Sequence, residues 1–260
     1  MADKAKAVRR QGTAAIERPV DAQRRTLAAG DAISAKLWRR YRAVMFEVYS
    51  ICAMVVFVIL TVIAKAWAYS AFDVKITRAV QTFHAGWFDA LMRAVTWIGF
   101  LPQGALIAAG ILLFLYAHGL KWEMAMTGAS VLGGSALGLV LKVLIARPRP
   151  SADLVTVIKQ LADNSFPSGH VLFFTTLFGF VSFLAYTLLK HSWWRTLLLV
   201  LLVGLVGMIG PSRIYVGQHW ASDVVAAYLL GSVWLALSVL VYRRGAKRGM
   251  TGRDDAEAAR

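Results

Sequence analysis

The stretch PSRIYVGQHWASD, residues 211–223, places His219 and Asp223 four residues apart between two long apolar segments. If a helix has begun by residue 219, side chains with this spacing lie on one helix face. The carboxylate of Asp223 can then accept a hydrogen bond from one ring nitrogen of His219. That contact fixes the tautomer and leaves the other nitrogen with a lone pair, as in a catalytic triad. A surface pair that only tethers a loop explains the same spacing equally well.

A second cluster, Pro167-Ser168-Gly169-His170, has the composition of a helix start. Serine is a favoured N-cap residue, and glycine lets a ligand approach the backbone. The unpaired N–H groups and the positive end of the helix dipole favour a bound anion, with His170 in the first turn beside it. The alternative is a capped helix that carries a neutral histidine at the membrane interface.

A third cluster supplies positive charge through Lys142 and the run Arg147-Pro148-Arg149-Pro150. The prolines hold the backbone extended and fix the directions of the arginines. Arginine suits bidentate contact with phosphate oxygens, and lysine acts as a point charge. Alone, this cluster would indicate an anchor for lipid head groups. Together with Arg213 and the helix start, it favours an anion with several oxygens.

The three clusters together indicate phosphoryl transfer, with His219 as nucleophile and His170 as a general acid. Two other interpretations use the same residues. His170, His219 and Asp223 could bind a metal ion, although the neighbouring cations would repel it. Buried cations could also line an anion pathway, although these lie at one membrane face and not along several spans.

The elements that must position these clusters are membrane-spanning helices. Hydrophobic residues make up 58% of the 260 residues and charged residues 17%, whereas a soluble domain carries roughly 25% charged residues. One span needs about 20 apolar residues. The sequence therefore predicts an all-α, polytopic membrane protein with six spans in one domain. Their approximate bounds are 44–69, 97–117, 124–146, 169–189, 194–210 and 220–242.

Two features between and within the spans bear on the packing. The segment 70–96 is amphipathic at helical spacing, which predicts helices at the outer interface, one of them leading into the second span. Gly133, Gly134 and Gly138 predict close helix packing in the third span.

The net charge of +15 is distributed as in a membrane protein, which argues against a nucleic-acid partner. The cations flank the first and last apolar segments, where the positive-inside rule places them. Contacts with anionic lipids are expected there. Both termini are then cytoplasmic, and the connectors 70–96, 147–168 and 211–219 face outward.

The predicted organisation has a basic cytoplasmic tail at 1–43, a six-helix membrane domain at 44–243 and a second cytoplasmic tail at 244–260. In the first tail, Ile33, Leu37, Trp38 and Tyr41 fall at helical spacing. They predict a short interfacial helix or belong to a partly disordered tail.

The three clusters resemble the signature of the type-2 phosphatidic acid phosphatase superfamily. The pattern is Lys142-x6-Arg149-Pro150, then Pro167-Ser168-Gly169-His170, then Ser212-Arg213-x5-His219-x3-Asp223. Residue type, spacing and order agree in all three parts, and the resemblance covers about residues 70–240. It implies an integral-membrane lipid phosphatase with six helices and a site at the extracytoplasmic face that uses no metal or other cofactor.

By this resemblance, His219 would be the nucleophile, Asp223 its orienting partner and His170 the acid that protonates the leaving oxygen. Five residues would hold the phosphate: Lys142, Arg149, Ser168, Gly169 and Arg213. Arg147 is an additional cation with a supporting role.

The bacterial members that this chain resembles act on undecaprenyl pyrophosphate, phosphatidylglycerol phosphate, phosphatidic acid or lipid A phosphates. The length and layout are typical of a bacterial inner-membrane protein, and undecaprenyl pyrophosphate is the predicted substrate. The motifs leave open a phosphotransferase, in which an alcohol replaces water, and a non-enzymatic protein that binds or moves lipids. They do not indicate an oligomeric state.

Overall fold

The computed structural model describes residues 34, 37, 38, 40–246, 248 and 249. Leu37, Trp38 and Tyr41 are helical. The rest of the predicted interfacial helix, including Ile33, and most of both predicted tails lie outside the described residues. The chain divides into two units, residues 1–52 and 53–260, and all residues of the three clusters belong to the second.

The described residues form eight α-helices and no strand, which confirms the all-α prediction. Five of these helices are long and apolar enough to cross a membrane, and α3 and α4 reach the same standard only as a pair bent by 62°. The polytopic membrane architecture is thereby confirmed. The helices are α1 (Arg40–Ala66), α2 (Ala71–Gln81), α3 (Gly86–Ile98), α4 (Gln103–Ala117), α5 (Lys121–Ile145), α6 (Gly169–Leu188), α7 (Trp193–Tyr215) and α8 (Ala221–Ala246).

The predicted second span is wrong as a single helix, because the chain turns at residues 99–102, between α3 and α4. Pro102 has no N–H to donate, and it disfavours a helical conformation in Leu101. The apolar pattern therefore continues across a point where the helix cannot. α4 has 15 residues, or about 22 Å, which is shorter than the roughly 30 Å of a bilayer core.

α7 continues through Pro211 to Tyr215, past the predicted end of the fifth span. A proline leaves the carbonyl four residues earlier without its helical donor. Here that carbonyl belongs to Gly207. The Tyr228 hydroxyl of α8 lies 3.3 Å from it, but its shorter bonds are to the Val206 carbonyl, to which it donates at 2.6 Å, and from the Gly210 backbone N–H, from which it accepts at 2.9 Å. Tyr228 thus bridges a helical donor and acceptor just before the proline. The helix continues to Tyr215, so Arg213 lies in its last turn and not in a connector.

α6 is the central helix and packs against α5, α7 and α8. Close approach to α5 depends on small residues, as predicted. A Cβ added to Gly134 or Gly138 would come within 2.6 Å of Thr176 or within 2.7 Å of Leu172, both on α6. His170 lies in the first turn of this central helix.

α2 turns a polar face toward the interior. Asp73, Thr77 and Gln81 recur every four residues and are buried, whereas Phe72 is 65% exposed. The Gln81 side chain donates to the carbonyls of Thr156 at 2.7 Å and Tyr215 at 2.9 Å. The connectors predicted to share one face therefore meet at one end of the helices.

Gly217 offers a test of the turn that carries His219 into place. Its φ is +69°, and an added Cβ would lie 2.0 Å from the Thr156 carbonyl oxygen. We expect Gly217→Ala to lower stability by at least about 1–2 kcal/mol, the cost of a left-handed conformation for a residue with a Cβ. The measurement is the thermal unfolding temperature in detergent.

The matched control is Gly204→Ala in α7, where no described atom lies within 4 Å of the added Cβ. Equal unfolding temperatures for the two variants would contradict the assigned turn.

Candidate active site

His219 lies in the turn before α8, and its imidazole is fully buried. The helix begins only at Ala221, so the contact with Asp223 does not follow from a shared helix face. His219 Nδ1 lies 3.7 Å from Asp223 Oδ2, which is too long for a hydrogen bond. The Ser165 hydroxyl links the two, since its oxygen lies 3.4 Å from Nδ1 and it donates to Asp223. Ser165 is not predicted from the sequence, because a serine three residues before an N-cap gives no signal.

The other ring nitrogen of His219 faces Arg149. Arg149 Nη1 lies 3.1 Å from His219 Nε2, and a guanidinium can only donate. Nε2 therefore accepts, and Nδ1 carries the proton. Burial, followed by the charges of Arg149, Arg213 and Lys142, lowers the pKa of His219 well below its usual value. A neutral ring with its lone pair on Nε2 is the form that can attack phosphorus.

Asp223 is buried and engaged at both carboxylate oxygens. Oδ1 accepts from Arg147, while Oδ2 accepts from Ser165 and from the Trp220 backbone N–H at 2.9 Å. Asp223 therefore ties the turn that carries His219 to the start of α8.

Arg147 joins Asp223 to a second buried carboxylate. Its Nη2 donates to Asp73 Oδ2 at 2.8 Å, and both side chains of this pair are fully buried. Asp73 also accepts from the Ser222 backbone N–H at 2.9 Å and from its hydroxyl at 2.7 Å. The network connects α2, the 147–168 connector and α8. The role of Asp73 is not predicted from the sequence. This residue also completes the capping box of α2 with Ser70, and a capping residue suggests no further role.

Three other predicted residues present buried polar atoms that lack a hydrogen-bond partner among the described residues. They are all three guanidinium nitrogens of Arg213, the hydroxyl of Ser168 and Nε2 of His170. Ser168 is the N-cap of α6, as the sequence predicts, but its hydroxyl makes no capping bond within the described residues. Buried donors of this kind are costly unless an acceptor binds them. An anion with several oxygens would satisfy them together.

Lys142 and Arg149 share one carboxylate, that of Asp163. Lys142 Nζ and Arg149 Nη2 each lie 2.8 Å from an Asp163 oxygen. Partial burial alone would raise the pKa of Asp163, but hydrogen bonds and charge from Lys142 and Arg149 lower it to about 2. The stabilisation from these pairs is thus complete above about pH 4 and lost as the pH falls toward 2.

The structure brings the predicted site residues to one end of the helices. Lys142 Cε lies 3.8 Å from the position of a Cβ on Gly169, and the Ser168 backbone N–H donates to the Asp223 carbonyl at 3.4 Å. Among the described residues, no three His, Cys, Asp or Glu side chains are arranged to hold a metal ion. The metal-binding alternative therefore gains no support from the donor geometry.

Fold and site together define a polytopic membrane protein in which the predicted site residues form a largely buried, cationic cluster at one end of the helices. Residues 123–247 match the sequence pattern of the PAP2 superfamily. The chain carries a PAP2 superfamily domain, and the resemblance predicted from its three motifs is confirmed.

Similar proteins include Phosphatidylglycerophosphatase B of Bacillus subtilis, 27% identical over 183 residues, which are 67% of this chain and 85% of that protein. An Undecaprenyl-diphosphatase of Sulfolobus acidocaldarius is 38% identical over 114 residues, 42% of this chain and 50% of that protein. The fold is similar to that in the crystal structure of a transmembrane PAP2 type phosphatidylglycerolphosphate phosphatase from Bacillus subtilis, with a TM-score of 0.65. The two chains are 21% identical, and the match covers 75% of this chain and 96% of that chain.

The buried network predicts a large difference between two Asp→Asn substitutions. Asp73→Asn removes one of the two carboxylates that compensate the buried Arg147, which should cost on the order of 3 kcal/mol. Asp89→Asn breaks an ion pair with Arg93 in which the side chains are 37% and 52% exposed, and such surface pairs contribute about 1 kcal/mol or less. Thermal unfolding in detergent compares the two variants. A smaller shift for Asp73→Asn than for Asp89→Asn would contradict the buried pairing.

The position of Asp163 between Lys142 and Arg149 predicts that its removal changes the affinity of the protein for phosphate. An oxyanion that binds Lys142 and Arg149 competes with this carboxylate for the same N–H donors. Asp163→Asn should therefore bind inorganic phosphate about three- to tenfold more tightly, on the order of 1 kcal/mol, as measured by titration calorimetry in detergent. The control is Asp153→Asn, which removes an exposed carboxylate from the same connector. Weaker phosphate binding by Asp163→Asn would show that the carboxylate orients these cations and does not compete for them.

Proposed function

We propose that this chain is a membrane lipid phosphatase that removes a terminal phosphate from a lipid (pyro)phosphate through a phosphohistidine intermediate. The observation that carries the proposal is the Arg213 guanidinium, which is fully buried and unpaired among the described residues. A buried guanidinium requires a counter-anion, and phosphate matches its geometry. Membership of the PAP2 superfamily supports the reaction class.

The phosphate is held by cations and by the start of α6. Arg213, Arg149 and Lys142 neutralise its oxygens, while the Ser168 hydroxyl and the Gly169 backbone N–H donate to them. Arg147 does not contact the phosphate in this proposal. Its two carboxylate partners already satisfy it, and its supporting role is to hold Asp223.

In the first step, His219 Nε2 attacks the phosphorus in line with the bond to the leaving oxygen. The N–P bond forms as the P–O bond breaks, and the electron pair stays on the leaving oxygen. His170 Nε2 gives its proton to that oxygen. The Ser165–Asp223 pair stabilises the positive charge that develops on the His219 ring.

In the second step, water attacks the phosphohistidine. His170, now without its proton, accepts one from the water, and the N–P bond breaks to release inorganic phosphate. The protein itself supplies the positive charge that a metal ion provides in other phosphatases, so the proposed reaction uses no cofactor.

An apolar cavity next to His170 supports a lipid substrate. It has a volume of about 500 Å³ and lies between α4, α5 and α6. Small and apolar side chains line it, among them Gly104, Ala108, Val131 and Phe173, and His170 and Gly169 stand at its polar end. A lipid chain in this cavity would place its phosphate at the histidine that protonates the leaving group.

The substrate proposed here is undecaprenyl pyrophosphate. The name of the relative from Sulfolobus acidocaldarius, Undecaprenyl-diphosphatase, supports this choice. The name of the Bacillus subtilis relative supports phosphatidylglycerol phosphate as the second candidate. In either case we propose a bacterial inner membrane, with cytoplasmic termini and the site at the extracytoplasmic face, where the positive-inside rule places it.

Phosphate release from a panel of lipids tests the proposal. The panel contains undecaprenyl pyrophosphate, phosphatidylglycerol phosphate, phosphatidic acid and a lipid A phosphate, each in detergent with a chelator present. We expect release with the chelator, and a loss of at least about 10³-fold in kcat for His219→Ala, because that change removes the nucleophile. His84→Ala, an exposed histidine on the α2–α3 connector, is the control.

Full activity in His219→Ala would contradict the assigned nucleophile. Strict dependence on an added divalent metal would contradict the cofactor-free reaction. Transfer of the phosphate to an added alcohol in preference to water would indicate a phosphotransferase. A wild-type protein that binds these lipids without releasing phosphate would indicate a lipid-binding or transport function.

A further inference from the structure

The turn between α3 and α4, residues 99–102, lies directly against the ring of His170. A Cβ added to Gly99 would come within 2.3 Å of His170 Cδ2 and 3.1 Å of its Nε2, and within 3.0 Å of Phe174. The φ of Gly99 is −88°, which any residue adopts. Glycine is therefore required here for space alone, and the turn serves as a wall for the imidazole.

Phe100, the next residue, contacts both His170 and Arg213. Its ring centroid lies 4.8 Å from that of His170, at an interplanar angle of 81°. The Arg213 guanidinium carbon lies 5.2 Å from the same ring centroid. Edge-to-face and cation–π contacts of this kind are favourable. One side chain of the turn thus touches the acid and the buried cation of the proposed site.

The turn is held in place by α3, which docks on α7. Thr96 Oγ1 donates to Ser212 Oγ at 3.0 Å, next to Arg213 in sequence. Met92, one turn earlier, is fully buried in a cluster with Tyr215. The helix that precedes the turn is therefore anchored to the helix that carries Arg213.

His170 Nε2 has no hydrogen-bond partner among the described residues. The direction of this nitrogen therefore depends on the packing of the ring, to which Gly99 and Phe100 contribute. The cavity that would take the lipid chain is lined by Gly99 and Leu101 of the turn as well as by His170. The turn accordingly borders the point where the leaving oxygen would join the lipid to the phosphate.

We propose that Gly99 and Phe100 are positioning residues for acid catalysis, which hold His170 Nε2 toward the leaving oxygen and Arg213 toward the phosphate. The inference rests on the proposed phosphatase function and deepens it. The proton that this arrangement aims passes from His170 Nε2 to the leaving oxygen as the P–O bond breaks. A displaced ring would leave the attack of His219 possible but would impair both proton transfers, to the leaving oxygen in the first step and from water in the second.

This role makes the effect of a substitution depend on the leaving group. An alkoxide is strongly basic and needs the proton, whereas p-nitrophenolate departs without it. A general acid contributes typically 10²–10⁴-fold to the rate. We therefore expect Gly99→Ala to lower the first-turnover rate of leaving-group release by about 10²-fold or more for phosphatidic acid and by less than about tenfold for p-nitrophenyl phosphate. The first-turnover rate is measured because the second step, in which His170 acts as base, is the same for both substrates.

Three further variants guard against misfolding and test the ring. Gly110→Ala, in α4 with no described atom within 4 Å of the added Cβ, is the matched control and should retain activity on both substrates. Phe100→Leu should likewise lose more on phosphatidic acid than on p-nitrophenyl phosphate, on top of a loss common to both substrates from its contact with Arg213. Phe100→Tyr, which keeps the ring, should restore activity on phosphatidic acid. Thermal unfolding in detergent accompanies each measurement.

The outcomes separate the two proposals. An active wild-type protein whose Gly99 and Phe100 variants lose equal factors on both substrates would overturn the positioning role and leave the phosphatase function standing. A wild-type protein that releases phosphate from neither these two compounds nor the lipid panel would overturn the phosphatase function and this inference with it. A selective loss on the alkyl phosphate would support both.

Discussion

The structure depends on the need to compensate charges that are buried at one end of a bundle of apolar helices. Two fully buried carboxylates, Asp73 and Asp223, bracket the Arg147 guanidinium. Removing either partner would leave an ion in a medium that solvates it poorly. The position of α2 beside α8, and with it the turn that carries His219, follows from the need to complete this network.

The four cations near the site differ in how they are compensated, and the difference matches the roles proposed for them. Arg147 has two buried carboxylates and serves the architecture. Lys142 and Arg149 share the half-exposed Asp163, whose bonds an incoming oxyanion can replace. Arg213 has no hydrogen-bond partner among the described residues. The positive charge is thus best compensated at Arg147, which holds the fold together, and least compensated at Arg213, which is best suited to bind a ligand.

Much of the fold and most of the site residues could be predicted from the sequence, because both leave strong signals. Long apolar segments report spans, and the three motifs carry their spacing in the chain itself. The break at Pro102 stayed hidden because apolar residues continue on both sides of it. At Pro211 the reverse holds, since the span was predicted to end before it and α7 continues to Tyr215, with Tyr228 of α8 bonded to the turn that precedes the proline. Ser165 and Asp73 act through partners remote in sequence, and no local pattern distinguishes them from a loop serine and a helix cap.

The polar inner face of α2 has a consequence for how the chain is made. Asp73 is synthesised 74 residues before Arg147 and 149 residues before Ser222. Once Arg147 has been made, Asp73 can pair with it through one oxygen, but the other oxygen lacks its Ser222 donors until the start of the last span has been made. The buried network around α2 is therefore complete only after α8 has been made and has packed beside it.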